Sequence, residues 1–158
     1  MKWHDFVVND AIIAELKATE RDDAIAELVD GLVAAGGAPQ ALRDELVAQI
    51  VDREKYGSTG FGKGVAVPHA KHDKVDRMVA AIGVSQKGVD FNALDRAPVY
   101  SIVLLLSPKD KPDEHLQAME NIFSNLQKDN FRRFLRQAGS REDIEELIQE
   151  ADAQQLAG

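Results

Sequence analysis

Residues Val99 to Leu106, Val-Tyr-Ser-Ile-Val-Leu-Leu-Leu, form an almost continuous apolar run. A run of this kind is typical of a β-strand covered on both faces, because a strand with one face in solvent alternates apolar and polar side chains. We therefore expect this strand near the centre of a sheet. The segment Val79 to Val84 indicates a second strand, and turn residues lie between the two.

Apolar residues at helical spacing flank these strands on both sides along the chain. Two helices are expected before the strands, with apolar positions from Ala24 to Val33 and from Leu42 to Val51, the second running into Asp52-Arg53-Glu54. Three more are expected after them, at about residues 113–126, 129–137 and 140–151, and residues 152–158 are expected to fray. We therefore predict an α/β fold, a single-domain sandwich over residues 1–158 with a mixed sheet of about five strands flanked by helices.

Length and composition limit the possible classes of protein. The chain has 158 residues, of which 44% are hydrophobic, which suits one domain with a sizeable core. Because it contains neither a run of about 20 apolar residues nor a secretory signal, we expect a soluble, cytoplasmic protein without direct membrane insertion. The absence of cysteine excludes thiolate catalysis and Cys-based zinc sites.

The net charge of −8 argues against a general role in binding nucleic acid, because phosphate backbones require a basic surface. The densest basic segment runs from Asn130 to Arg136. Its arginines alternate with Phe131, Phe134 and Leu135 at helical spacing, so we interpret it as an amphipathic helix with a solvated basic face.

Two histidines are the main candidates for chemistry, because imidazole titrates near physiological pH and can act as a neutral nucleophile. His69 follows the short apolar segment Val65 to Val67 and Pro68, so we expect it at the carboxyl end of a strand. His115 opens a predicted helix, where the helix dipole favours the neutral ring and a bound anion. We interpret His72 as a solvated loop residue, and the spacing of these histidines does not favour a metal site.

A glycine-rich segment, Gly57-Ser-Thr-Gly-Phe-Gly-Lys-Gly64, precedes His69. It is similar to a nucleotide-binding P-loop, but Gly64 stands where that motif needs a hydroxyl, and the order of helix, loop and strand is reversed. The dinucleotide-binding glycine pattern is also incomplete. We therefore expect neither ATP nor NAD, and no cofactor. Phe61 within the loop either contacts a protein partner or packs inward beneath the loop.

The residues from Arg53 to His69 resemble the active-site signature of the fructose/mannitol-type IIA domains of the phosphoenolpyruvate-dependent sugar phosphotransferase system. Downstream segments around Gly88, Asp95, Pro108 and His115 follow in the family's order. The resemblance implies that His69 accepts a phosphoryl group on Nε2 from a phosphorylated HPr-type carrier and passes it to a IIB component. It implies that His115 steadies the phosphoryl oxygens and that Arg53 neutralises their charge.

The glycine loop supplies further candidates for phosphoryl contacts. These are Ser58, Thr59, Lys63 and Gly64. Lys63 departs from the family's pattern, in which Asn or an acidic residue is usual, so it either contacts the phosphoryl group or points into solvent. The family also includes nitrogen-related regulatory proteins, and the alternative is therefore a module that controls a partner through its phosphorylation state, without sugar transport. A metallohydrolase is a more distant alternative.

Overall fold

The strands of the sheet are β1 Val7–Ile13, β2 Val65–Ala66, β3 His69–His72, β4 Val79–Val89 and β5 Val99–Pro108. The apolar run forms β5, on which the sheet is organised. In this computed structural model, which describes residues 1–157 and the side chains of residues 1–154, β5 pairs antiparallel with β4 on one side. On its other side it pairs in parallel with β2 and β3, while β1 adds to the far edge of β4 in parallel.

Helices cover both faces of this mixed, five-stranded sheet, as predicted. The helices are α1 Arg21–Ala34, α2 Arg43–Tyr56, α3 Pro112–Leu126, α4 Asp129–Gln137 and α5 Arg141–Ala157. Helices α1 and α2 pack on one face, and α3, α4 and α5 pack on the other. Leu104, Leu105 and Leu106 are each 0% exposed, and burying such a side chain stabilises the fold by about 2 kcal/mol. None of the helices in the described part of the chain is both long enough and apolar enough to span a bilayer.

The strand ends before Pro68, as expected, but the placement of His69 at a carboxyl end is wrong. The strand is interrupted at Val67 and Pro68, but His69 opens β3, which continues along β5 in the same register as β2. Pairing resumes because the Pro68 carbonyl accepts the Leu105 N–H at 3.0 Å. Proline lacks the backbone N–H but keeps its carbonyl, so on an edge strand it need not change the register of strand pairing.

Two further differences lie at the ends of the chain. The strand β1 has no counterpart in the sequence analysis, because its pairing with β4 is irregular between Val7 and Ile12 and its side chains do not alternate cleanly. The second difference is that α5 continues to Ala157, whereas the sequence analysis expects fraying from residue 152. Asp152 is 8% exposed and accepts the backbone N–H groups of Trp3 and His4 at 2.7 and 3.1 Å. Gly158 lies outside the described residues.

A tight turn connects the glycine-rich loop to β2. Lys63 and Gly64 both have positive φ angles, 61° and 75°, and the Val65 N–H approaches the Gly62 carbonyl at 3.4 Å. Positive φ at both central positions defines a type I′ turn, in which Asn followed by Gly is the favoured pair. Lys63 therefore holds a left-handed conformation that a long side chain adopts at a cost.

We expect Lys63→Asn to stabilise the fold. Asn tolerates the left-handed conformation better than Lys, so the free energy of unfolding should rise by about 0.5–1 kcal/mol. Urea denaturation followed by circular dichroism measures this change. The matched control is Lys109→Asn, at an exposed position without positive φ, which should stay within about 0.5 kcal/mol of the parent. A lower stability for Lys63→Asn would contradict the assignment of strain to this residue.

Candidate active site

His69 is held by a hydrogen bond to the backbone. Its Nδ1 lies 2.8 Å from the carbonyl oxygen of Val67, and the side chain is half-buried. A carbonyl oxygen only accepts hydrogen bonds, so Nδ1 carries the proton of the neutral ring. The lone pair of the neutral imidazole therefore lies on Nε2. This arrangement presents a nucleophilic nitrogen in one fixed orientation.

His115 lies beside His69, as the sequence analysis predicts for the two histidines. The ring centroids are 5.7 Å apart, and the planes are inclined by 52°. His115 is 5% exposed, and its Nδ1 lies 2.7 Å from the hydroxyl oxygen of Ser107. Burial, reinforced by the charges of Lys71 and His69, lowers the pKa of His115 to about 4. The ring is therefore neutral at physiological pH.

Strand β5 positions both histidines. Leu105 is the register partner of His69, and Ser107, two residues further on, contacts His115. Residues two apart on a strand point to the same face, and this face is the one covered by α3. Helix α3 begins at Pro112 and supplies His115 from its first turn. The carboxyl end of β5 thus fixes the separation of the two imidazoles.

Arg53 occupies the last turn of α2 and is exposed. Its Nη1 donates a hydrogen bond to the Gly57 carbonyl oxygen at 2.8 Å, which stabilises the carboxyl end of the helix. Within the described residues its guanidinium makes no hydrogen bond to either histidine. The structure thus brings the two histidines together directly, whereas Arg53 is joined to the start of the glycine-rich loop.

Glu54 anchors the glycine-rich loop and was missed by the sequence analysis. It is 2% exposed, and its carboxylate accepts the Thr59 N–H at 3.0 and 3.3 Å. A signal for its burial was present in the sequence, because Leu46, Ile50 and Glu54 recur at four-residue spacing on one face of α2. A carboxylate on the apolar face of a helix needs a nearby donor, and the loop provides one.

The hydroxyl groups of the loop differ in their surroundings. The Ser58 hydroxyl accepts the Gly60 N–H at 3.0 Å and so helps to form the turn. The Thr59 hydroxyl is buried and has no hydrogen-bond partner in the described residues. An unpaired buried hydroxyl costs roughly 1–3 kcal/mol, so Thr59 retains a donor that an anion close to the loop would satisfy.

Phe61 packs inward from the loop and is half-buried. Its ring lies 5.2 Å from the ring of Phe123 on α3, measured between centroids. Of the two alternatives for Phe61, the structure therefore shows packing beneath the loop. Because α3 also carries His115, this contact joins the loop to the helix that forms one side of the site.

Lys63 and Gly64 lie away from the histidine pair. They line a groove with residues at the start of β5, where Val65 pairs with Ser101. His69 pairs with Leu105, four residues along β5, which corresponds to about 13 Å along the strand. The structure thus divides the four loop candidates, with Ser58 and Thr59 near the end of α2 and the other two at the groove.

The interpretation of His72 as a solvated loop residue is wrong. His72 is 9% exposed, its Nδ1 accepts the Lys74 N–H at 3.0 Å, and its Nε2 therefore donates to Glu45 at 2.8 Å. A second bond, from Gln49 to the Lys71 carbonyl, also joins α2 to β3. His72 thus has a structural role. In the part of the chain that the structure describes, no three His, Asp or Glu side chains gather closely enough to hold a metal ion.

Comparison with curated proteins yields relatives of two kinds. The fructose-specific EIIABC component of Bacillus subtilis is 30% identical over 96% of this chain, but the chain spans only 24% of that relative's length. A nitrogen regulatory protein of Pseudomonas aeruginosa is 34% identical over 70% of this chain and 71% of its own length.

Two solved structures share the fold. The nitrogen regulatory protein IIA-Ntr of Neisseria meningitidis superposes with a TM-score of 0.80 at 26% identity, over 90% of this chain and 96% of that chain. The Escherichia coli IIA protein for mannitol, solved in complex with phosphorylated IIB, gives a TM-score of 0.75 at 22% identity, over 89% and 95% of the two chains. The family model for the EIIA 2 component of the phosphoenolpyruvate-dependent sugar phosphotransferase system matches residues 5–151. The chain therefore belongs to the EIIA 2 family of that system.

Proposed function

We propose that this protein is a phosphocarrier that accepts a phosphoryl group on Nε2 of His69 from an HPr-type carrier and passes it to a IIB component. Family membership supports phosphotransfer in general. The observation that carries the assignment to this atom is the hydrogen bond from His69 Nδ1 to the Val67 carbonyl. That bond leaves Nε2 as the basic nitrogen of the neutral ring.

The transfer needs no covalent machinery beyond alignment of the two partners. The lone pair of His69 Nε2 forms a bond to phosphorus while the phosphorus–nitrogen bond of the donor breaks, and the bonding electron pair leaves with the donor's ring nitrogen. Nδ1 keeps its proton throughout, and Val67 keeps its hydrogen bond. The orientation of the ring is therefore the same before and after transfer.

His115 is the group that steadies the phosphoryl oxygens. We assign the Ser107 hydroxyl as the donor to His115 Nδ1, 2.7 Å away. The single proton of the neutral ring then lies on Nε2, which donates to an oxygen of the phosphoryl group. The lowered pKa of His115 supports this role, because its protonation state stays constant across the physiological range. Ser107 acts as a positioning residue through His115.

Arg53 and the first half of the glycine-rich loop complete the proposed cradle. Arg53 is exposed and can rotate from Gly57 to meet the added negative charge with its guanidinium fork. The Ser58 and Thr59 hydroxyls are further candidate donors, and the Thr59 hydroxyl gains a partner it otherwise lacks. We do not assign Lys63 and Gly64 to this cradle, because they lie at the groove near the start of β5.

Apolar side chains near the site support docking of proteins. Leu116 follows His115 directly and is 59% exposed, and Tyr56 precedes Gly57 and is 93% exposed. Exposed apolar groups close to a reactive centre favour a protein partner, since small polar substrates gain little from them. The related mannitol IIA protein was solved with its phosphorylated IIB, and we propose a IIB component as the acceptor here.

Incubation with phosphoenolpyruvate, enzyme I and HPr should label the protein with one acid-labile phosphoryl group. His69→Ala removes the nucleophile, so the label should disappear. Intact-protein mass spectrometry at neutral pH measures the added mass. His4→Ala, which changes a histidine 67% exposed in its side chain at the other end of the chain, should keep full labelling. Persistence of the label in His69→Ala would refute the assignment.

Ser107→Ala should slow onward transfer to IIB while phosphorylation of His69 is retained. Without the hydroxyl, His115 loses the hydrogen bond that fixes its tautomer. We therefore expect the transfer rate to fall roughly five- to tenfold, which is less than the fall in rate when a donor to the reacting group is removed altogether. Ser124→Ala, at an exposed position on α3, should leave the rate unchanged.

Nitrogen-15 NMR of the His115 ring distinguishes this role from general destabilisation. In the parent the Nε2–H tautomer should dominate, and the ring should gain a proton only as the pH falls towards 4. In Ser107→Ala the nitrogen shifts should indicate mixed tautomers. Unchanged shifts together with an unchanged rate would contradict the positioning role.

The nitrogen regulatory relative supports a second candidate, in which the same phosphorylation controls a partner without delivery to a sugar. In that case the unphosphorylated protein and His69→Ala should retain a partner that the phosphorylated protein releases, and no IIB should accept the phosphoryl group. Pairwise transfer assays with each IIB of the source organism test this. Transfer to any IIB at a rate comparable to uptake from HPr would exclude the regulatory candidate as the main role.

A further inference from the structure

A second concave site lies between α4, the Lys63 turn and the start of β5. Its volume is about 680 Å³, within the range of pockets that bind small molecules. It lies at the opposite end of β5 from Leu105 and Ser107, which position the two histidines. We call it the basic groove; the residues that define it are Lys63, Tyr100, Ser101, Arg132, Arg133 and Arg136.

Positive charge accumulates in this groove although the chain as a whole carries a net charge of −8. Four cationic side chains line the groove, compared with two carboxylates, Asp95 and Asp129. Asp129 is paired with Arg132, which also donates to the Leu126 carbonyl at 2.8 Å. Lys63, Arg133 and Arg136 form no ion pair within the described residues. The groove therefore holds cations whose charge the protein itself does not neutralise.

The floor and one wall of the groove are held in place. The Arg136 guanidinium lies 3.5 Å from the centroid of the Tyr100 ring, and Gln86 donates to the Arg136 carbonyl at 3.2 Å. Ser101 is 2% exposed and lines the groove. It lies on the face of β5 that is covered by α4. Its hydroxyl is therefore a neutral group at the wall of the groove.

We propose that the basic groove binds a small phosphorylated organic molecule. Its phosphate would lie between Lys63, Arg133 and Arg136, because guanidinium forks and ammonium groups are the preferred donors to phosphate oxygens, and Ser101 adds a neutral donor. The organic part would contact Gln86 and Oδ2 of Asp95, the carboxylate oxygen that accepts no hydrogen bond from the described residues. Both groups can form hydrogen bonds with hydroxyl groups. The two carboxylates and the size of the cavity disfavour a nucleic-acid backbone, whose phosphates form an extended row.

This site is independent of phosphotransfer at His69. A bound ligand adds charge near Ser101 at the start of β5. Ser101 lies about 13 Å along the strand from Leu105, the register partner of His69. His69→Ala should therefore bind the ligand as the parent does. Loss of phosphorylation and loss of groove binding can thus be scored separately.

Titration with glycerol 3-phosphate, followed by nitrogen-15 NMR, tests the proposal. Saturable shifts should appear at the backbone amides of Tyr100, Ser101, Arg133 and Arg136, and free glycerol should produce none. The double variant Lys63→Asn/Arg133→Gln should weaken binding tenfold or more, since it removes two donors to the phosphate. Arg77→Gln, which removes an exposed arginine outside the groove, should leave the affinity unchanged.

Three outcomes would overturn the proposal. They are shifts spread over exposed lysines and arginines without saturation, shifts centred on His69 and His115, and equal weakening in the double variant and in Arg77→Gln. Circular dichroism of each variant separates loss of binding from loss of folding. Because Lys63→Asn relieves backbone strain at the turn, the double variant is expected to fold, and its failure to bind would report on the groove.

Discussion

The burial of β5 on both faces is the constraint from which the site follows. A strand that is covered on both sides cannot shift its register by one residue without moving its apolar side chains to the wrong layer. The register of β3 against β5 is therefore fixed, and with it the position of His69 beside Leu105. Ser107 lies on the same face at the end of the same strand, so the contact with His115 depends on the same constraint.

The interruption at Pro68 gives His69 its chemical character. The Val67 carbonyl does not pair with β5, and it accepts the Nδ1 proton of His69. The Pro68 carbonyl accepts the Leu105 N–H, as the register of a parallel ladder requires. One two-residue break thus preserves the sheet and fixes the imidazole tautomer, and the nucleophilic nitrogen follows from backbone geometry rather than from a neighbouring acid or base.

Most of the fold follows from the sequence, because β5 and the helices have strong, long periodic patterns. That His69 and His115 belong to one site is predicted from the family resemblance. What could not be predicted depends on contacts distant in sequence. The burial of His72 requires Glu45 on α2, and β1 has too little alternation to be recognised before its partner β4 is known. Glu54 is the exception, since its spacing from Leu46 and Ile50 already places it on the buried face.

The glycine-rich loop is fixed at both ends. Its first half belongs to the proposed cradle at His69, and its second half borders the basic groove. Glu54 holds its first half through the Thr59 N–H, and the Gly64 carbonyl at its other end accepts the N–H groups of Tyr100 and Ser101. Phe61 fixes the middle against α3. A segment restrained at three points cannot act as a mobile lid over His69. We therefore infer that the loop is a preorganised wall, and that the donors of the proposed cradle would meet a phosphoryl group at little entropic cost.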